Sequence, residues 1–535
     1  MRLIFAGTPV AAWIPATQRK FLALAPGANS NARYRRTPEQ WRGIHAALLC
    51  VFADVSPNPS AHSPGRQGIL KFCGLAYERS DHFVKRINRC DFLCKAQSAH
   101  QRVCAILYSS CPRISAQFSS KPSTSEDQRM SSATHLEGKT LTFILAGGEG
   151  ERLYPLTADQ PKPMVPFGGV FRIIDFTLSN VLNSGLRRIY VLTQYKHERL
   201  HSYVRGGWPQ LCNQFRRDCG EHIICLPPGG GNRYRGTADA VFQNIDRIEK
   251  SSAEYVLIVS ADQVYHMDYG ELLHRHHTSG ADLTMAAAQY PVELAASLGV
   301  IEADPDGRAI KFEEKPISPR PLQSNPELAL VNMGVYVFGK GALIEALQKN
   351  PDFSDSHDFA NDILPVLIRS GRAVVFPFDG YWRDVGTLDL YYRTNLDLLL
   401  AGTALDPYEN PAWPTRTLAG PKSIQRSWLA SESRVSLDAT LTACNVRMSI
   451  VSRGARIDAG ADLEAAIVLP GAYIGRGAKI RAAIVTENAV VSPHARIGYD
   501  TEADRSEFPV SENGIVIVGA SEPDRRRVPR LARSA

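Results

Sequence analysis

The chain reads as an α/β protein, a mostly parallel sheet with helices on both faces, followed by a parallel β-helix. Three observations carry this reading. Between residues 140 and 290 short apolar runs alternate with amphipathic helical patterns, as when parallel strands are joined by helical crossovers. Beyond Asp397 the helical pattern stops. From residue 454 onward, apolar side chains and glycines recur every seventeen residues, the mark of a repeat in which each unit stacks on the next.

In the first part strands are expected at Thr140 to Leu145, Arg188 to Thr193, Tyr255 to Ser260 and Asp282 to Gln289. Helices are expected at Ile173 to Asn183, Thr237 to Glu249 and Tyr269 to His277. In a sheet of this kind ligands gather at the carboxyl ends of the strands. A Pro-rich segment, Asp406 to Thr417, then leads to the repeat. There Ile457, Ile474 and Val491 lie seventeen apart, as do Leu463, Ile480 and Ile497, and Val468 and Val485. Gly454 matches Gly471, and Gly460 matches Gly477. Apolar steps of six, five and six describe three short strands per triangular coil, and residues 431 to 500 supply about four or five coils.

Charge and cysteine are unevenly spread. Residues 1 to 129 hold 18 Lys and Arg against 7 Asp and Glu, whereas the remainder holds 43 against 47. Nucleic-acid binding therefore has no support in the folded part, which lacks the basic excess such binding needs. Six of the ten cysteines also lie in that first segment, at spacings that do not make a usual zinc set and with nothing that requires an oxidising compartment. The segment shows no sustained apolar periodicity and ends in the polar run Ser119 to Arg129, so it is expected to be an unstructured basic extension. Met130 opens a different regime and is expected to be the start of the protein proper, with a translated leader or an acid-poor targeting segment upstream. No apolar stretch is long enough to span a bilayer, and the first ten residues do not form a secretory signal. A cytoplasmic location without membrane contact is expected. The organisation expected is a basic extension at 1–129, the α/β domain at 138–400, a linker at 401–430, the β-helix at 431–510 and a basic tail at 511–535.

The first strand runs into Ala146, Gly147, Gly148, Glu149, Gly150, Glu151 and Arg152. Glycines here let backbone N–H groups approach phosphate oxygens, and Arg152 adds a charged fork. The loop has neither the Lys-Ser/Thr ending of a P-loop nor the spacing of a dinucleotide fingerprint. Ten residues on, Lys162 is fixed between Pro161 and Pro163. Tyr255 to Ser260 ends at Asp262, and a second carboxylate, Asp384, stands in a distant Trp-Arg-Asp segment. Two such carboxylates with substrate phosphates make a common magnesium site.

Together these segments resemble a known family. GGEGERL at 147–153, PKP at 161–163, PFGGVFRIIDFTLSN at 166–180, VLTQY at 191–195, YRGTADAV at 234–241, FEEKP at 312–316, MGVYVF at 333–338 and YWRDVGTL at 381–388 occur in the order seen in bacterial glucose-1-phosphate adenylyltransferases. The resemblance covers residues 140 to about 510. It implies a Rossmann-like, mostly parallel nucleotidyltransferase domain followed by a C-terminal left-handed parallel β-helix. It implies that ATP and glucose 1-phosphate become ADP-glucose and pyrophosphate, with Mg2+ held by Asp262 and Asp384. Ala146, Gly147, Gly148, Gly150, Arg152 and Lys162 would face the nucleotide, with Arg152, Lys162, Asp262 and Asp384 catalytic. Tyr234, Gly299, Glu314, Lys315 and Asn332 would line the sugar phosphate site, and Arg172 an allosteric one. Small-molecule effectors and a homotetramer are further implications.

Several positions depart from the family pattern. Glu151 replaces Thr or Lys beside the loop arginine, and Asn332 stands where relatives have Ser. Shortly before Tyr234, the stretch Pro227, Pro228, Gly229, Gly230, Gly231 itself carries no amide side chain to read adenine. This keeps open another nucleotide, and the family also contains non-catalytic regulatory chains. Asp159 and Gln160 stand where sugar-bisphosphate-activated relatives carry a basic pair, so such an activator is expected to bind poorly or differently.

Overall fold

The computed structural model describes residues 136–213, 223–229, 233–349, 357–400, 405–408, 410–418, 424–426 and 430–519. The chain divides into units 1–120 and 121–535. The expected basic extension at 1–129, the tail beyond 519 and the first six cysteines lie outside the described residues.

A nine-stranded sheet organises the α/β half. Its strands are β1 (Thr140–Ala146), β2 (Ile189–Thr193), β3 (Ile223–Leu226), β4 (Tyr255–Ser260), β5 (Leu283–Pro291), β6 (Gly299–Ala303), β7 (Ala309–Glu314), β8 (Leu328–Gly339) and β9 (Ala373–Phe378). The path runs β7-β6-β8-β4-β1-β2-β3, with β5 paired to β8 and β9 to β5. The strands β4, β1, β2 and β3 are mutually parallel. Both faces are covered, since Leu141 and Phe143 of β1 join one buried cluster while Ile144 and Ala146 join another.

The sheet is mixed rather than uniformly parallel in its second part. β8 runs antiparallel to β4, β5 and β6. Its twelve residues are apolar nearly throughout, a pattern that shows burial on two faces but carries no direction. The helix Ile173–Asn183 is found as expected, and the helix expected at Tyr269–His277 extends to Ser279. The run from Thr237 to Glu249 is broken into Thr237–Phe242 and Ile245–Glu249. Asn244 causes the break: its Nδ2 turns back to Ala240 O and Tyr234 Oη, and its backbone leaves helical geometry.

In the β-helix the seventeen-residue spacing is the register itself. Ile457 pairs with Ile474 and Ile474 with Val491, Leu463 with Ile480 and Ile480 with Ile497, and Val468 with Val485. Four stacked strands along one face, at Thr440, Arg456, Tyr473 and Val490, count four coils. Corners fall in left-handed columns: Gly454, Gly471 and Asn488 in one, Ala443, Gly460, Gly477 and His494 in another, all at positive φ. The repeat does not end at 510. Val516–Val518 pairs with Ala483–Val485 after the short helix Thr501–Glu507, so residues 511–519 add a strand to the β-helix rather than beginning a tail.

The connecting segment is held against the α/β half. Trp413 Nε1 donates to Asn180 Oδ1, Arg416 N to Ser179 Oγ, and His266 Nε2 meets Thr415 Oγ1. Ile467, Ile484 and Ile517 of the β-helix share a buried cluster with Phe167, Leu388 and Tyr391. Tyr392 Oη also donates to Ala465 O.

Candidate active site

The parallel strands end together. Ala146 lies beside Thr193 and Leu145 beside Ser260, so the loops that follow β1, β2 and β4 share one edge. Gly150 has φ of 68°, and a Cβ there would come within 2.8 Å of Lys162 Cβ. Glycine thus lets the loop press on the turn that carries Lys162. Here lies a cavity of about 1000 Å³, lined by Ala146, Gly147, Gly148, Gly150, Arg152, Lys162, Tyr234 and Asp262. Glu151 also lines it and is exposed.

Asp262 and Asp384 are joined by backbone pairing. A two-stranded antiparallel ribbon, Gln263–Tyr265 with Trp382–Asp384, sets Asp384 opposite Gln263. Trp382 Nε1 donates to Gln263 Oε1 and fastens the ribbon. Lys162 Nζ enters between the carboxylates, 2.8 Å from Asp262 Oδ2 and 3.0 Å from Asp384 Oδ1. Burial opposes the charge on Lys162, but the two carboxylates more than offset it and hold the ammonium above its ordinary pKa. Burial likewise disfavours the Asp262 anion, and Lys162 and Ser260 reverse this and hold its carboxyl below the usual range. A Cβ at Gly386 would meet Asp384 Oδ2 at 2.9 Å and Arg152 Nη2 at 3.1 Å, so Gly386 leaves room for both groups.

Of the sugar-phosphate candidates, Tyr234 lines the cavity, while Gly299, Glu314, Lys315 and Asn332 are not among its lining residues. Tyr234 belongs to the main cavity, where its N–H donates to Gln194 Oε1 and its hydroxyl to Leu226 O. Gly299 pairs with Glu314 across β6 and β7, and a Cβ on it would strike Phe312 at 2.6 Å. Lys315 Nζ lies 3.2 Å from Glu314 Oε1, with its side chain 60 % exposed. Asn332 sits on β8 where its register slips, with Nδ2 donating to Tyr336 Oη and Oδ1 accepting from Gly334 N. A Cβ at Gly334 would lie 3.6 Å from Ser260 Cβ, so this irregularity borders the Asp262 edge.

Arg172 is partly buried and engaged with protein groups. Its Nη1 donates to Gln160 Oε1 and to Met164 O, and its guanidinium stands 5.6 Å over the Tyr203 ring. Gln194, Arg233 and Asp358 also line the cavity, and the sequence reading did not single them out. Gln194 was signalled by its place directly after the strand Ile189–Thr193 and by the motif VLTQY at 191–195, but was given no role there. Gly230 and Gly231, in the stretch before Tyr234, lie outside the described residues.

A glycine loop at the carboxyl edge of a parallel sheet, facing a lysine between two carboxylates, is a setting for phosphate chemistry. The class is that of nucleotidyl transferases: the family model described as nucleotidyl transferase matches residues 141–400, and that described as GlmU-like, C-terminal hexapeptide matches residues 415–518. Among curated relatives, glucose-1-phosphate adenylyltransferase 2 of Alkalilimnicola ehrlichii is 40% identical over 402 residues, 72% of this chain and 94% of that protein. The glucose-1-phosphate adenylyltransferase of Paramagnetospirillum magneticum is 41% identical over 409 residues, covering 72% and 94%. That of Rhodopirellula baltica is 40% identical over 407 residues, covering 72% and 90%. The chain belongs to the glucose-1-phosphate adenylyltransferase family.

Enzymes of this class work with a divalent metal. The residues present fit one: Asp262 and Asp384 supply hard oxygen donors that both reach the Lys162 ammonium, and their side chains are 33 % and 22 % exposed. Among the described residues no helix is long and apolar enough to cross a membrane.

Proposed function

We propose that the chain transfers the adenylyl group of ATP to α-D-glucose 1-phosphate, giving ADP-glucose and pyrophosphate for glycogen synthesis. The observation that carries the reading is Lys162 bridging Asp262 and Asp384 beside the glycine loop. A phosphate oxygen of glucose 1-phosphate forms a bond to the α-phosphorus of ATP as the bond from that phosphorus to the β-phosphate bridging oxygen breaks. The nucleophile is already an anion, so no protein base has to take a proton. Gly147, Gly148 and Gly150 let the backbone approach the triphosphate, and Arg152 and Lys162 offset its charge. Mg2+, held by Asp262 and Asp384, would supply further charge neutralisation at the phosphates. Gln194 gives its Oε1 to Tyr234 N, which leaves its Nε2 as a donor for the nucleotide base.

Tyr234, Gly299, Glu314, Lys315 and Asn332 are assigned to the sugar phosphate. Glu314 can accept from sugar hydroxyls and Lys315 can meet the phosphate. The mutual pairing of Glu314 and Lys315 means that Lys315 must turn to do so. Residues 138–400 are proposed as the catalytic domain and 1–129 as dispensable, so a chain beginning at Met130 should match the full chain in turnover. The cytoplasm, a homotetramer and small-molecule effectors acting near Arg172 complete the proposal and rest on family resemblance. The test is pyrophosphate release from glucose 1-phosphate with ATP, UTP, dTTP and GTP in turn. Release with ATP at a kcat/KM well above the others is expected, and preference for another nucleotide would overturn the base assignment.

A further inference from the structure

The turn that carries Lys162 is gripped from the β-helix. Gln160, two residues before Lys162, is buried. Its Nε2 donates to Leu156 O at 3.2 Å and to Glu487 Oε2 at 2.7 Å, while its Oε1 accepts from Arg172 Nη1 at 3.2 Å. The same Arg172 nitrogen donates to Met164 O, two residues after Lys162. One guanidinium thus ties both sides of the turn Lys162–Met164. The turn is closed by Met164 N to Pro161 O at 2.9 Å and Val165 N to Lys162 O at 3.1 Å. Glu487 lies between the strands Lys479–Val485 and Val490–Val491, at the corner where Asn488 has φ of 58°.

We propose that Glu487 is a positioning residue for adenylyl transfer. Its carboxylate orients the Gln160 amide, and Gln160 with Arg172 sets the Lys162 turn so that the ammonium meets Asp262 and Asp384. The proposal rests on the role given to Lys162 above. Three features make the chain of contacts stiff enough to transmit a displacement. The bond to Glu487 is charge-assisted and short. Gln160 is buried, so loss of its acceptor leaves an N–H that must find another partner by moving. Pro161 and Pro163 flank Lys162 and limit backbone adjustment. A cation displaced by about 1 Å from reacting phosphates can cost on the order of a hundredfold in rate.

The test compares Glu487→Ala, Glu487→Gln and Lys162→Ala by steady-state kinetics and thermal unfolding. Glu487→Ala is expected to lower kcat roughly tenfold or more, with KM for glucose 1-phosphate changed less than about twofold. Glu487→Gln keeps an oxygen that accepts from Gln160 Nε2 and should recover most of the loss. Unchanged kcat in Glu487→Ala overturns the proposal. So does a fall in kcat that tracks a fall in Tm and is not recovered by Glu487→Gln, since that marks simple interface packing. If Lys162→Ala itself keeps wild-type kcat, the fault lies in the role of Lys162 and not in the contacts that hold it.

Discussion

Asp384 stands directly opposite Gln263 in an antiparallel ribbon, one residue along from Asp262. Backbone register, not side-chain reach, therefore brings the two carboxylates together. Asp262→Asn or Asp384→Asn should leave the ribbon intact while removing charge from the metal position, lowering kcat by roughly a hundredfold or more. Circular dichroism should be unchanged; near-normal turnover in either variant would refute the assignment.

Lys162 holds the place of a cation between the same carboxylates. Its removal leaves two anions facing each other, which a divalent ion can relieve. Lys162→Ala should lose activity yet show a larger Mg2+-dependent rise in Tm than the wild type, measured without substrates. Equal rises in both proteins would place the metal elsewhere.

Asp175 gives a pH prediction. Burial, opposed by hydrogen bonds from Arg172 N and Tyr203, pushes its carboxyl up to about 7. Below about pH 4 both folded and unfolded chains keep the proton, and the stabilising contribution is fully present. As pH rises toward 7 the unfolded chain ionises first, so this contribution is lost, and it levels off above the folded value. The loss is up to about 4 kcal/mol for a rise of roughly three pH units. Asp175→Asn should flatten this fall in urea unfolding followed between about pH 5 and 8. Parallel pH dependences in the two proteins would show that Asp175 is already ionised in the folded state.

Two β-helix glycines separate backbone strain from steric conflict. Gly454 has φ of 65°, and a Cβ there would be 3.9 Å from the nearest atom, Gly471 N. Gly498 has φ of 82°, and a Cβ would fall 1.8 Å from Arg481 O. Gly454→Ala should cost about 1 kcal/mol, the left-handed penalty that Ala465 and Ala482 already bear at φ of 49° and 46°. Gly498→Ala should cost several times more, on the order of 3 kcal/mol or above, in denaturant unfolding. Equal costs would mean that the Arg481 backbone yields freely.

Asp159 is 81 % exposed with Lys196 3.8 Å away, and the family resemblance implies a basic side chain at this place in bisphosphate-activated relatives. A phosphate brought there meets repulsion where those relatives offer attraction. Activation by fructose 1,6-bisphosphate should be weak, and Asp159→Lys should improve its apparent affinity roughly tenfold even with solvent screening. Activation of the wild type at micromolar concentration would locate the effector site on other residues.

What was readable from sequence follows from how local each signal is. The columns Ile457, Ile474, Val491 and Leu463, Ile480, Ile497 were legible because each coil repeats the last at fixed spacing. The glycine corners were legible for the same reason, but Asn488 and His494 in the same columns were not, because only glycine advertises a left-handed backbone. The direction of Leu328–Gly339 was hidden since a doubly buried strand has no polar face to orient it. Asp262, Asp384 and Lys162 could be named as chemistry, yet their contact depends on a ribbon register between segments far apart in the chain. Gln160 read as a missing cation, and its bonds to Glu487 and Arg172 could come only from tertiary packing.

Ile467, Ile484 and Ile517 belong to three stacked coils and share one buried cluster with Phe167, Leu388 and Tyr391. A repeat left to itself can fray from an end, because each coil is held only by its neighbours. Here the loss of any of these coils strips apolar cover from the globular half at the same moment. Melting either half alone is thereby penalised, and the two should pass through a single cooperative endotherm. The heat absorbed in that transition should then be set by both architectures together, so the two described halves are expected to melt as one unit although they are written in two structural languages.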